Sequence, residues 1–501
     1  MENLKELGDP QEFWEYIYAI SKIPRCSEHE EHIRNFVLNE AKKMGFVAER
    51  DEIGNIVIRV PYPSAIEKAT LKVVLQCHMD MVCEKNEGLD HDFSKDPLKL
   101  KLIEIEGEKW LTAEGTTLGA DNGVGIAYNL TIMKKVYEGS LDLGPLDLDL
   151  LFTVDEEQGL TGASKMNKGL ISGKYLLNLD SEEDDKFTIG CAGGRVFTIE
   201  TKLEEEQLFE IQESLSGLRI DIFGLIGGHS GTDINKRRGN AIKILVEILW
   251  KLNTKFSIYI QSLEGGNKSN AIPRETHAIL YINKAQSTKI IEFIEEIFSN
   301  IKKLYFGTES NLAISIEELD EIDGTTVFSK QFQLKFINIL HLMPNGPVSL
   351  HPTSNGLVHT SLNLASVHTL ENSIKIQIST RSLTEYDKDV LFEKVQTLLG
   401  LSHLDANIII NTVYPSWPPN FQSELVKKSK KIYYEIFNEE VTIQAIHAGL
   451  ECAYFADYFP KMEMISLGPN VIGNHSPDER LNVQSVVKVW KYLIALLKNL
   501  I

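Results

Sequence analysis

Leu148-Asp-Leu-Leu-Phe-Thr-Val154 runs directly into Asp155-Glu156-Glu157. A short, nearly continuous apolar stretch is the signature of a strand buried on both faces. A carboxylate triplet by itself is most often solvated surface, but this pattern recurs. Val73-Val-Leu75 leads to His78 and Asp80. Tyr175-Leu-Leu-Asn-Leu179 leads to Asp180. Met464-Ile-Ser-Leu-Gly468 leads to His475. In open α/β sheets, sites form outside the carboxyl ends of the strands. Four strand ends carrying His, Asp and Glu therefore predict one site built by one sheet. The segment Asn122 to Val136 between them reads as a helix, as βαβ alternation requires.

Upstream, Asp9-Pro10 is a helix-start signal, with Phe13, Ile17 and Ile20 at helical spacing. Ser27 with Glu30 fits a capping box. The helix behind it would bury Ile33, Phe36, Val37, Ala41 and Met44, and Gly45 would end it. Asn55 to Val60 reads as a strand stopped by Pro61 and Pro63. From about Thr198 to Val413 the character changes. Strand-like stretches (Leu218 to Phe223, His277 to Ile282, Ile374 to Ser379) alternate with amphipathic helices (Asn240 to Leu252, Ile290 to Lys303), without a carboxylate cluster. Because His475 lies beyond this region, it reads as an insertion. The expected fold is an α/β catalytic domain, a mixed sheet flanked by helices, formed by residues 1–197 and 414–501. An inserted α+β lid domain spans 198–413. The acidic runs Glu182-Asp185 and Glu204-Glu206 read as solvated loop faces.

The central constellation is His78, Asp80, Asp121, Glu156, Glu157, Asp180 and His475. Divalent transition metals take imidazole and carboxylate ligands. Two His and three carboxylates can hold two ions if one carboxylate bridges them. Paired ions activate a shared water and polarise a carbonyl. A carboxylate beside the ligands can take that water's proton, and Glu156-Glu157 supplies an adjacent pair. Asp80 can hydrogen-bond the His78 imidazole from behind. Glycines crowd Asp121 in Gly119-Ala-Asp-Asn-Gly-Val-Gly125. His29-Glu-Glu-His32 is one residue short of HExxH and fits a solvated helix face. Cys77, adjacent to His78 in a strand, should point to the opposite face and pack.

These motifs resemble the metal-site motifs of the co-catalytic zinc peptidases, the superfamily of aminoacylases, glutamate carboxypeptidases and cytosolic dipeptidases. Within it, five segments are similar to bacterial aminoacylhistidine (Xaa-His) dipeptidases. They are His78-Met-Asp-Met-Val-Cys-Glu-Lys-Asn86, His91-Asp-Phe-Ser-Lys-Asp-Pro97, Gly227-Gly-His-Ser-Gly231, Asn270-Ala-Ile-Pro-Arg274 and His447-Ala-Gly-Leu-Glu-Cys452. The resemblance implies that Asp121 bridges two ions, with His78 and Asp180 completing one site and Glu157 and His475 the other. It implies Glu156 as general base, Asp80 as the orienter of His78, and a cis peptide after Asp121. In the lid it implies His229 as the oxyanion donor, with Asn270 and Arg381 contacting the substrate. On the residues alone, Gly227–Gly231 also reads as a tight turn and Arg381 as a surface residue near a strand end. Asp180, where carboxypeptidases of the superfamily tend to carry Glu, points to dipeptidase or aminopeptidase action. His447 and Glu451 are expected near the metal site, without an assigned role.

Composition sets the remaining bounds. The 501 residues predict roughly two to four domains. Lys+Arg 51 against Asp+Glu 71 leaves a formal net charge of −20. Such a chain is repelled by polyphosphate, so nucleic acid and anionic membrane surfaces are excluded as partners. No run of about 18 apolar residues predicts a membrane span. The first ten residues carry three carboxylates and no apolar core, which predicts neither a signal nor a transit peptide. Five cysteines, odd in number and outside CxxC pairs, fit a reducing cytoplasm and argue against a disulfide framework. The expected protein is a cytoplasmic metallopeptidase, a homodimer, acting on small peptides of the Xaa-His, carnosine-like type. Its two divalent ions are zinc first, with cobalt or manganese as alternatives. The rival functions are an N-acyl-amino-acid deacylase and a non-catalytic metal-binding protein on the same fold.

Overall fold

A computed structural model describes residues 4–62, 71–208, 214–319 and 326–501. Pro63 and the first three residues, on which two readings above partly fall, lie outside the described residues. The chain divides into two compact units: Met1–Cys191 with Trp417–Ala445 and Leu450–Ile501, and Ala192–Ser416 with Ile446–Gly449.

In the first unit the four strands that carry the clusters are neighbours. The strand Leu146–Thr153 pairs in parallel with Leu71–His78, which pairs with Tyr175–Asn178, which pairs with Glu463–Ser466. Register aligns their ends: His78 faces Thr153, and Gln76 faces Asn178. Antiparallel strands flank this parallel centre, including Ile56–Val60 on one side and Lys186–Cys191 on the other. The central strands are buried on both faces (Val73, Val74, Leu75, Leu150, Leu151, Phe152, Leu176, Leu177), which is why their sequences run apolar without alternation. Helices Gln11–Ile20, Glu31–Lys43, Ala120–Tyr137, Glu424–Phe437 and Val483–Lys498 cover the sheet. Among the described residues no helix is long and apolar enough to cross a membrane.

The second unit is α+β. Among the described residues its nine-stranded sheet is antiparallel throughout, from Ala313–Leu319 through Val358–Thr369 and Ser373–Ser382 to Ala406–Tyr414. Helices Ala241–Lys255, Ser287–Leu304, Lys330–Leu342 and Glu385–Ser402 pack an apolar core with its strands. Asn240 caps the first of these helices by accepting from Lys243 N. Lys243 then crosses to the end of the 330–342 helix. Its ammonium donates to the carbonyls of Leu340, His341 and Met343 at 2.6, 2.8 and 2.8 Å. Lys243→Met keeps the stem and removes all three bonds. It is expected to lower stability by ~1–3 kcal/mol in urea unfolding, because the helix-end carbonyls lose their donor.

Three local expectations are corrected. Ser27 does not cap the 31–43 helix, whose N-cap Glu30 makes no side-chain cap bond. The Ser27 hydroxyl instead donates to Asp80 Oδ2 at 2.8 Å. Glu182 and Asp184 are not solvated loop face. Glu182 accepts from Asn474 at 2.6 Å, and Asp184 from Lys488 at 2.9 Å. Finally, Cys26 and Cys83 form a disulfide. Their spacing along the chain conceals that Cys26 lies beside Met81 in an isolated parallel bridge. Cys77 is free and buried in the first unit's core, as the strand alternation predicts.

Candidate metal centre

The parallel strands stop in line, so the residues just past their ends converge. His78 closes its strand, and its Nε2 lies 3.0 Å from Asp121 Oδ1 and 3.2 Å from Asp180 Oδ1. His475 Nε2 lies 3.2 Å from Asp121 Oδ2 and 2.9 Å from Glu157 Oε2. Asp121 thus presents one oxygen to each imidazole. It sits where the 120–137 helix begins, and the Asp121–Asn122 peptide is cis. Asn122 donates to Asp180 Oδ1, which fixes that carboxylate.

Asp80 stands behind His78, with Oδ1 3.3 Å from Nδ1. It also accepts from the backbone amides of Glu156 and Glu157 at 3.0 and 3.1 Å. One carboxylate therefore orients an imidazole and the turn bearing the Glu pair. Burial opposes its charge, but His78, the Glu156 amide and Ser27 hold its pKa down at about 2. Ligand atoms of His78, Glu156 and Glu157 lie within 4.8 Å of one another, so Glu156 stands inside the same cluster.

Electrostatics shows how strongly the members of this donor set act on one another. Burial disfavours charge on His78, yet Asp180, Asp121 and Asp80 raise its pKa well above the ordinary value. Hydrogen bonds to Asp121 and Glu157 push His475 to about 11. Burial pushes Asp180 up to about 6 and Glu156 well above the usual carboxylate range. Asp121 is driven the other way: burial raises it, but His475 and His78 hold it well below. Hard and borderline divalent ions take these N and O donors. His78, Asp121 and Asp180 form one group with ligand atoms within 4.8 Å, and Asp121, Glu157 and His475 form another. The residues fit a pair of divalent ions sharing Asp121.

In the second unit, Gly228–His229 pairs with Ala271–Ile272, and Ser230 N donates to Asn270 O at 2.8 Å. The glycine segment and the Asn270 segment therefore form one short ribbon rather than an isolated turn. Gly228 has φ +135°, and a Cβ there would collide with Arg238 Nη1, so only glycine fits. Arg381 is 6% exposed, not a surface residue, and its Nη2 lies 3.4 Å from His229 Nε2. His229 Nδ1 accepts from Thr232 N at 3.2 Å, which places the ring proton on Nε2. Burial, then Arg381, lower the His229 pKa to about 4, so the ring is neutral. Two donors, Nε2–H and the guanidinium, thus face one space, the arrangement an anionic oxygen satisfies. His447 belongs to this unit: its Nε2 pairs with Ser361 Oγ at 2.7 Å. Glu451 belongs to the first unit, buried beneath the strand ends. It accepts from Gln76 and Thr153 at 2.5 and 2.7 Å.

Residues 74–499 match the model of peptidase family M20/M25/M40. The chain belongs to this family. Across the full chain and 99% of the relative it is 36% identical to the cytosol non-specific dipeptidase of Escherichia coli K12. The crystal structure of aminoacylhistidine dipeptidase from Vibrio alginolyticus superposes with a TM-score of 0.87 at 33% identity. That match covers 98% of this chain and 96% of the other. The aminopeptidase PepT structure from Bacillus cereus shares the fold, with a TM-score of 0.58 at 13% identity over 98% and 99% of the two chains. The chain is accordingly a metallopeptidase related to dipeptidases.

The cluster also draws on residues without a sequence signature. Arg25 and Glu479 are buried against the Asp121 turn, Ser27 and Glu30 hold Asp80 and the Asp155 amide, and Asn122 holds Asp180. Their partners are mostly backbone groups, which leave no spacing signature. The one signal available was the pair of small residues at Gly119 and Gly123, which marks close packing by a large neighbour.

Proposed function

We propose that this chain hydrolyses the peptide bond of dipeptides, of the Xaa-His type, at two divalent ions, zinc first and cobalt or manganese as alternatives. In this reading His78 and Asp180 hold one ion, Glu157 and His475 the other, and Asp121 both. The observation that carries it is Asp121, whose two oxygens face two different imidazoles. When bound, such a pair polarises a carbonyl and lowers the pKa of a water. Glu156 is the general base: it takes the water's proton on its carboxylate and passes it to the leaving amine. Asp80 keeps the His78 imidazole in one orientation.

The second unit serves as the lid and substrate domain. His229 donates to the oxyanion, Arg381 grips the substrate carboxylate, and Asn270 contacts the substrate. The Xaa-His preference is supported by the name of the Vibrio relative, and Asp180 supports dipeptidase or aminopeptidase action over carboxypeptidase action. The homodimer is proposed on the family resemblance. The cytoplasmic location is proposed on the name of the E. coli relative.

Activity is expected to vanish on chelation and to return with zinc, cobalt or manganese. Under those ions, free histidine released from carnosine should exceed acetate released from acetylated amino acids. Faster acetate release would make the chain an N-acyl-amino-acid deacylase. Tight metal binding without either release would make it a binding protein.

A further inference from the structure

Asp121 has to stand between two imidazoles, and its turn is held by two buried ions that belong to neither imidazole set. Glu479 is 1% exposed and accepts four successive backbone amides. Leu118 N and Gly119 N donate to Oε2 at 2.7 and 2.8 Å, and Ala120 N and Asp121 N to Oε1 at 2.7 and 3.3 Å. Arg25 is 2% exposed. Its Nη1 donates to the carbonyls of Met79 and Asp80 at 3.1 and 2.8 Å, and its Nη2 to that of Gly119. Among the charges around Arg25, Glu479 is the strongest favourable one. A Cβ at Gly119 would collide with Arg25 Nη2, and one at Gly123 would stand 2.9 Å from it. The glycines flanking Asp121 therefore make room for the guanidinium.

These two side chains tie together three segments that are remote in sequence. Arg25 joins the backbone just after His78 to the Asp121 turn. Glu479 joins that turn to the loop carrying His475, four positions earlier. A buried ion costs stability unless its partners are in place. Here all the amides of one turn converge on one carboxylate, a stronger tether than a neutral side chain supplies.

We infer that Arg25 and Glu479 are positioning residues that set the place of Asp121 between His78 and His475, and so control how tightly the ion pair is held. This rests on the two-ion reading above. In Glu479→Gln one oxygen becomes an NH2 group that meets two backbone donors, so the Asp121 turn must shift while side-chain volume is kept.

The test is titration of apo protein with manganese(II), reading stoichiometry, affinity and the electron paramagnetic resonance signal of the coupled manganese pair. Wild type should bind two ions with a coupled signal. Glu479→Gln should bind them ~10–100-fold more weakly, with the coupled signal diminished. Glu309→Gln is the control for a merely structural loss. Glu309 is a buried carboxylate of the second unit that accepts the amides of Ile226 and Gly239 at 2.8 and 2.7 Å. It should leave the titration unchanged. Arg25→Lys keeps the charge but loses the forked contact. It should weaken binding in the same direction, and it decides the matter if Glu479→Gln does not fold. Wild-type affinity and coupling in Glu479→Gln, or in Arg25→Lys where that variant decides, would overturn the inference. So would an equal loss in Glu309→Gln. Fewer than two ions in wild type would instead overturn the two-ion reading, and this inference with it.

Discussion

Glu156→Gln is expected to keep both ions and to lose ~10²–10⁴ in kcat, the range for removing a general base. The neighbouring Glu157→Gln is expected to lose bound metal as well. The two residues are adjacent in sequence, and their backbone amides share one acceptor, Asp80. Their side chains differ in what they meet. Glu157 lies 2.9 Å from His475 Nε2, inside the donor set that shares Asp121. Glu156 has no such contact with His475. Burial and the surrounding carboxylates Asp180, Glu157 and Glu451 raise its proton affinity. A carboxylate that binds a proton readily, beside but not within the shared set, suits proton transfer more than ligation. Gln keeps the shape and removes the basic oxygen. Metal content by atomic absorption, measured beside turnover on the same preparations, separates the roles. Equal metal loss in both variants would reverse the assignment.

The parts of this molecule that were legible in the sequence share one physical cause. Strands buried on both faces carry nearly continuous apolar runs, so Val73–Leu75, Leu148–Val154, Tyr175–Leu179 and Met464–Gly468 declared their conformation and their place in one sheet. Residues after such strands fall at one edge of the sheet, so His78, Glu157, Asp180 and His475 were readable as a group, and the glycines crowding Asp121 marked it as their neighbour. What escaped the reading was held by partners that carry no side-chain signal. Ser27 matched a local capping box, but its hydroxyl is taken by Asp80, 53 residues away. Arg25 and Glu479 bind the backbone of Gly119 across 94 and 360 residues. A backbone amide is the same in every residue, so no spacing rule finds its acceptor. Cys26 and Cys83 were hidden likewise, because their proximity depends on a bridge between Cys26 and Met81 that neither flanking sequence announces.

His229→Ala is expected to lower kcat ~10²–10³-fold, with the metal content unchanged. The argument begins with the tautomer. Thr232 N donates to His229 Nδ1, so Nε2 carries the proton, and Arg381 Nη2 stands 3.4 Å from it. Two donors facing one another are poorly satisfied until an anionic oxygen comes between them. The tetrahedral intermediate of amide hydrolysis develops that oxygen, whereas the ground-state carbonyl carries far less charge. A donor aimed at the developing charge acts on kcat, and acts most strongly where water is excluded. Arg381 differs, because a substrate carboxylate is charged before and during the reaction. Arg381→Ala should therefore raise KM with a smaller change in kcat. Neither variant touches a residue of the ion-holding set, so metal analysis should match wild type in both. In a homodimer, a histidine that serves the partner's site would allow complementation: mixed dimers of Glu156→Gln and His229→Ala chains should recover part of the activity. No recovery in mixed dimers shown to form would confine His229 to its own chain. An unchanged kcat in His229→Ala would remove it from the chemistry altogether.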